Sequence, residues 1–247
     1  MNSRWSERQR EMLAAMGVRL FEVPQSVRAE LVEAPVQAEC EPSIPQHERS
    51  TTRPDIAALD WPALRQAVAG CRACALCESR TQTVFGVGHE RARLMIVGEA
   101  PGEQEDLQGE PFVGQAGKLL DNMLRAIGLA RDAQEAERAV FICNTLKCRP
   151  PRNRNPDPEE TARCAPFLER QIALLQPRLL LAMGRFAAQS LLGTDEAIGK
   201  LRGRVHRRRG VPVVVTYHPA YLLRTLADKA RAWDDLCLVA SLLELPR

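Results

Sequence analysis

The chain has no apolar run approaching the ~20 residues that cross a bilayer. Its first residues, Met1 to Arg8, lack the apolar stretch of a secretory signal. A membrane-bound or exported protein is therefore not expected, and a cytoplasmic one is. Lysine is scarce, at 4 against 30 arginines, although the net charge is only +3. Arginine forks onto phosphate oxygens and stacks on flat rings, so the bias is a weak pointer to nucleic acid; biased genome composition produces the same excess. Nucleotide-binding fingerprints are missing as well. The glycines near residue 98 form no G-x-G-x-x-G, and no Gly-Lys-Ser/Thr follows, which disfavours NTP hydrolysis. What remains is an ordinary globular composition, 45% hydrophobic and 26% charged over 247 residues, long enough to bury a core.

Eight cysteines are present, and in a reducing compartment they point to metal or catalysis rather than disulfides. Cys71, Cys74 and Cys77 fall within seven residues, and Cys148 and Cys164 follow with fifteen residues between them. No second tight pair exists elsewhere and no His sits close by, so zinc ribbons and mixed Cys/His sites fit poorly. Four thiolates gathered from distant segments suit a cubane iron–sulfur cluster, which is preferred to zinc. Cys143 and Cys237 lie in apolar runs and read as unligated buried thiols.

Residues 1–58 read as an extension. A short amphipathic helix is expected from Ser6 to Phe21, followed by a linker carrying Pro24, Pro35, Pro42, Pro45 and Pro54. The compact domain is expected over residues 59–247. There, strands at Leu94–Val97, Val140–Cys143, Leu179–Ala182 and Val213–Tyr217 alternate with helices. The helices are marked by the Ala116–Ile127 apolar face, by Pro158–Leu175, by Arg185–Leu192 and by Asp228–Leu243. Such alternation predicts a parallel sheet with helices on both faces, whose sites lie beyond the carboxyl ends of the strands.

The first strand runs into a turn with four carboxylates, Glu99, Glu103, Glu105 and Asp106. Glu99 stands apart because it directly follows the strand-ending Gly98. Phe112 lies between glycines, as a core plug or as a stacking platform for a base. The second strand runs into Asn144, which can donate and accept at once as base reading needs. After it come Lys147, Arg149, Arg152 and Arg154 without an acid, which suits a phosphate-facing loop. A second basic run, Lys200 to Arg209, precedes the fourth strand, which ends at His218. Glu99, Asn144 and His218 would thus share one sheet edge between two basic loops.

These segments, in this order, resemble the type-4, iron–sulfur uracil-DNA glycosylases. The matching stretches are Cys71-x2-Cys74, Val84-Phe-Gly-Val-Gly88, Gly98-Glu-Ala-Pro-Gly102, Pro111-Phe-Val-Gly114, Asn144-Thr-Leu-Lys-Cys-Arg-Pro-Pro151, Leu201-Arg-Gly203 and His218-Pro-Ala-Tyr-Leu-Leu223. The resemblance implies a three-layer α/β/α sandwich around a short parallel sheet, and excision of uracil from DNA by cleavage of its N-glycosidic bond. It implies a [4Fe–4S] cluster on Cys71, Cys74, Cys148 and Cys164, with Cys77 a spare. It places the uracil pocket at Glu99, Ala100, Pro101, Glu105, Phe112, Asn144 and His218. The wider superfamily has an Asp where this chain has Ala100, so Glu99, and after it Glu105, is the candidate general base. Asn144 to Cys164 holds no His, so the covalent trapping of cross-linking relatives is not expected. Lys147 is the only lysine near a motif, and the resemblance implies a monofunctional hydrolase.

On this reading the uridine is flipped out of the duplex and stacked on Phe112. His218 faces the uracil O2, and Glu99 orients or deprotonates a water and stabilises the cationic sugar. Arg149, Arg152, Arg154, Arg202, Arg204 and Arg224 are the expected phosphate contacts, and Leu222 or Leu223 fills the gap in the stack. The partner is uracil-containing DNA, the protein is expected as a monomer, and the extension is available to a protein partner. Two rivals are weighed: a non-catalytic DNA-binding iron–sulfur protein and an electron-transfer protein. The first would have lost Glu99, Asn144 or His218, and the second would need neither Asn144 nor Phe112.

Overall fold

A computed structural model describes residues 55–245. The helix expected at Ser6–Phe21, the proline-rich stretch and Cys40 lie outside them. Asp55 accepts from Ala57 N and starts a single 3-10 turn, Ile56–Ala58, whose Ile56 is buried in the core. The described fold thus includes residues 55–58, just before the expected domain start at residue 59.

Three five-residue strands, β2 (Leu94–Gly98), β3 (Val140–Asn144) and β4 (Leu179–Met183), are buried along their whole length. Their near-continuous apolar sequences are those of strands covered on both faces. With β6 (Val211–Thr216) they form the parallel centre of a six-stranded sheet, ordered β1-β3-β2-β4-β6-β5. The two edges are antiparallel: β1 (Val87–Gly88) on β3 and β5 (Val205–Arg208) on β6. The expected short parallel sheet is thus the centre, and the two antiparallel edge strands extend it into a mixed one. The strand β5 lies inside the basic run read as a loop, because an arginine-rich edge strand shows no apolar alternation. In β1, a Cβ at Gly88 would fall 2.0 Å from the Val140 carbonyl oxygen, so only glycine lets the two strands approach.

The period-2 alternation of strand side chains builds the layers. Met95, Val97, Phe141, Cys143, Leu180 and Ala182 pack on one face, with α1 (Trp61–Ala69), α5 (Pro158–Leu175) and α6 (Arg185–Leu192). Leu94, Ile96, Val140, Ile142, Leu179 and Leu181 pack on the other, with α4 (Gln115–Arg125), α8 (Pro219–Arg224) and α9 (Lys229–Leu242). Three short helices complete the order: α2 (Leu76–Ser79), α3 (Glu103–Gln108) and α7 (Ile198–Leu201). The result is the expected three-layer α/β/α sandwich. No helix of the described residues is long and apolar enough to cross a membrane.

Because β2 lies between β3 and β4, the chain leaves it on one side and returns on the other. The carboxyl ends of these strands therefore open a crevice at a topological switch point.

Candidate active site at the carboxyl ends of the strands

A cleft of about 720 Å³ occupies that crevice, a volume in the range of small-molecule sites. Gly98 at the end of β2 pairs in register with Asn144 at the end of β3. A Cβ on Gly98 would lie 2.3 Å from Asn144 Oδ1 and 2.7 Å from Phe112 Cζ, so the bare glycine is the floor on which both side chains rest. Asn144 is buried, and its Oδ1 has no partner within the described protein. A buried amide oxygen left open in this way is costly unless a ligand donates to it.

Glu99 is fixed through its backbone: Leu146 N donates to its carbonyl at 3.1 Å, and so does the Thr145 hydroxyl. Its half-buried carboxyl turns into the cleft. Burial raises the Glu99 pKa above the usual carboxylate value, and the nearby Arg185 guanidinium opposes this only in part. Glu105 is bound differently. Its carboxylate accepts from Gly102 N at 3.1 Å, Val113 N at 3.0 Å and Gly114 N at 3.4 Å. It therefore ties the turn after β2 to the Phe112 loop, a role that occupies the oxygens an alternative base would need.

His218 caps α8, its Nδ1 accepting from Ala220 N at 3.1 Å. A ring nitrogen that accepts carries no proton, so the neutral imidazole holds its hydrogen on Nε2. Burial pushes the imidazole pKa down to about 4, helped by Arg224 and opposed by Glu105, although one edge of the residue stays open to the cleft. His218 is thus a neutral N–H donor at physiological pH. Phe112 stacks on it, with centroids 5.3 Å apart and planes at 27°. The position is tight from behind as well, since a Cβ on Gly184 would meet His218 Cβ at 3.1 Å.

Ala100 and Pro101 line the same cleft, so all seven expected pocket residues share it. Among the further residues lining it, the large side chains Arg185, Phe186, Tyr217 and Tyr221 were not foreseen. Arg185 and Phe186 follow β4, and the Arg185 guanidinium sits 4.5 Å from the Phe186 ring centroid. Reading the end of the third strand as closely as the others would have found them.

The expected DNA contacts divide. Leu222 is fully buried in the core beneath α8 and cannot enter a base stack, whereas Leu223 is 41% exposed beside exposed Arg224. Leu222→Ala should therefore cost the fold ~2–5 kcal/mol by opening a cavity. Leu223→Ala should leave the melting temperature near wild type and weaken action on duplex more than on single-stranded DNA. Thermal melts and paired duplex and single-strand assays check this, and the reverse assignment would contradict it.

Arg202 is corrected to a structural residue. Its guanidinium pairs at 3.0 Å with Asp235, which is fully buried, and lies over Tyr217. Arg204 pairs with Glu196 and Arg149 with Glu103, at 3.5 and 3.6 Å. Arg154 pairs with Glu160 at 2.6 Å yet also lines the cleft. Arg152 is exposed. Lys147 is not part of a phosphate-facing surface: it is buried, with Nζ donating to Asn144 O and Gln171 Oε1 at 2.7 Å each.

On the far side of the loop after β3, Cys71, Cys74, Cys77, Cys148 and Cys164 line a second, small pocket. Arg80 Nη1 donates to Cys148 Sγ at 2.9 Å, and Lys147 N to Cys164 Sγ at 3.3 Å. Burial pushes the Cys164 thiol up to about 12 and raises Cys148 and Cys74 as well. Among the described residues no three His, Cys, Asp or Glu groups converge around a single ion. Cys143 is buried in the core and Cys237 partly so, apart from this pocket.

Residues 85–237 match the family described as the Uracil DNA glycosylase superfamily. Over 164 residues the chain is 44% identical to the type-4 uracil-DNA glycosylase of Archaeoglobus fulgidus, covering 63% of this chain and 79% of that protein. Identity with the type-4 uracil-DNA glycosylase of Thermotoga maritima is also 44%, covering 65% and 82%. With that of Pyrobaculum aerophilum the identity is 39%, covering 73% and 93%.

Proposed function

The chain belongs to the uracil DNA glycosylase superfamily, and from that premise we propose that it repairs DNA by hydrolysing the N-glycosidic bond of a flipped-out deoxyuridine. The observation that carries this reading is the convergence of Glu99, Asn144, Phe112 and His218 on one cleft. Cleavage builds negative charge on the departing base and positive charge on the sugar. The neutral His218 Nε2–H is a preorganised donor for the uracil O2. The desolvated Glu99 carboxylate orients or deprotonates the attacking water and faces the cationic sugar. Asn144 reads the base edge, and Phe112 stacks on the base. Among the described residues no lysine lines the cleft for a lyase step, and Lys147 is turned into the core. The enzyme therefore leaves an intact abasic site. Incubation with uracil-containing DNA and mass detection of the free base tests this: uracil released one for one with sites lost supports it, and none released overturns it.

The second pocket suits a [4Fe–4S] cluster held by Cys71, Cys74, Cys148 and Cys164. Its lining is sulfur-rich, it draws on segments far apart in sequence, and two N–H groups already point at its sulfurs. Cys77, the expected spare, lies on the same pocket as a fifth thiol. Bound there, the cluster would staple the α1–α2 segment to the loop behind Asn144. Purified protein should contain close to four iron and four sulfide per chain. Cys148→Ser should strip both and lower the melting temperature, while Cys77→Ser keeps them. One zinc and no iron would contradict the assignment.

We infer that the enzyme acts in the cytoplasm as a monomer on DNA, and that the extension before Asp55 serves a protein partner.

A further inference from the structure

We propose that Arg131, which lies outside the cleft, is the positioning residue that fixes Phe112 and so sets the pocket's grip on the base. Phe112 has φ 55, in the left-handed region that glycine occupies cheaply and a bulky side chain does not. A glycine there would supply no ring, so the chain must hold phenylalanine in a conformation it would otherwise leave. Left alone, the residue relaxes to negative φ, and its Cα–Cβ bond swings the ring off His218.

Arg131 opposes that relaxation directly. Its Nη1 donates to the Pro111 carbonyl at 3.1 Å and its Nη2 to the Phe112 carbonyl at 3.0 Å, one on each side of the strained dihedrals. The third edge of the same guanidinium is anchored: Nε donates to Asp121 Oδ1 on α4 at 2.7 Å, and the pair is largely sheltered from solvent. Only a planar fork reaches two carbonyls and a carboxylate at once. Space for the arrangement is left by Gly117, where a Cβ would lie 1.8 Å from the Phe112 carbonyl oxygen. The amides of Val113 and Gly114 beyond the strain are held by Glu105. Arg131 is not among the cleft residues, so it touches neither base nor sugar and acts only through the ring.

The proposal rests on Phe112 stacking the base, so its test has an arm that does not depend on excision. In the first arm, 4-fluorophenylalanine replaces the six phenylalanines, and the Phe112 resonance is assigned by its loss in Phe112→Leu. Arg131→Gln should shift or broaden that resonance and leave the other five in place. In the second arm, Arg131→Gln should weaken inhibition by free uracil about tenfold while leaving affinity for DNA with an abasic site unchanged. In a Phe112→Leu background the same substitution should cost nothing further. Arg131→Lys, which keeps the charge but cannot span both carbonyls, should move both readouts the same way by a smaller amount, and it serves if Arg131→Gln does not fold. An unmoved Phe112 resonance, or an undiminished loss after Phe112→Leu, overturns the proposal. A wild-type protein that releases no uracil would instead overturn the reading of the cleft and leave the resonance arm to decide on Arg131.

Discussion

Glu99→Gln should lower the single-turnover rate of uracil excision by ~10²–10⁴-fold, the usual worth of a positioned general base, and erase the acid limb of the pH profile. Glutamine keeps the size and polarity of the side chain but can neither take a proton nor carry the charge that faces the sugar cation. The pH dependence follows from the two titrating groups in the cleft. Burial raises the Glu99 pKa above 4.5, so the active, ionised carboxylate is lost as pH falls through that raised value. His218 must be neutral to act as a donor without charge, and with its pKa held down to about 4 it stays so across the whole working range. The limb of kcat/KM on the acid side therefore belongs to Glu99. A limb at the ordinary imidazole pKa of about 6.5, persisting in Glu99→Gln and vanishing when His218 is replaced, would reverse these roles.

The choice of base should change in Asn144→Asp. Uracil presents an N3–H donor and an O4 acceptor, whereas cytosine presents an N3 acceptor and an amino donor. The Asn144 amide matches uracil when its oxygen faces N3–H, and that oxygen is the buried acceptor with no partner among the described residues. Resting against Gly98 holds the amide in place. Each mismatched buried polar group costs ~1–3 kcal/mol, and a complete pocket can raise rejection to ~10⁴-fold. Aspartate removes the donor to O4 and supplies an acceptor for the cytosine amino group. Most uracil activity should disappear and weak cytosine excision should appear. Asn144→Ala should show the loss without the gain. Wild-type uracil excision by Asn144→Asp would mean that another group reads the base edge.

The central strands were legible because buried parallel strands are continuous apolar runs, and α5 and α6 because prolines, glycines and 3.6-residue periodicity mark their ends. The antiparallel edges were not. β1 is two residues long, and β5 reads Val-His-Arg-Arg, so neither holds the buried apolar residues that mark a strand in sequence. In the cleft, residues at or within two positions of a strand's end, Glu99, Asn144 and His218, could be placed from sequence, since the sheet fixes where a strand ends. The partners of charged side chains could not. Arg202 reads like any exposed arginine until Asp235 is seen buried against it, thirty-three residues away in sequence. Adjacent leucines are likewise indistinguishable until α8 packs, turning Leu222 inward and Leu223 out. Glu105 and Arg131 make the same point, because their roles consist of bonds to backbone atoms of the Phe112 loop.

The most direct measurement uses two duplexes that differ only in carrying uracil or cytosine at one position, each treated with the purified protein and analysed before and after hot alkali. The account predicts that the uracil strand stays intact until alkali is added and is then cut at that position alone, while the cytosine strand survives both treatments. An uncut uracil strand after alkali, cutting before alkali, or equal cutting of the cytosine strand would contradict it.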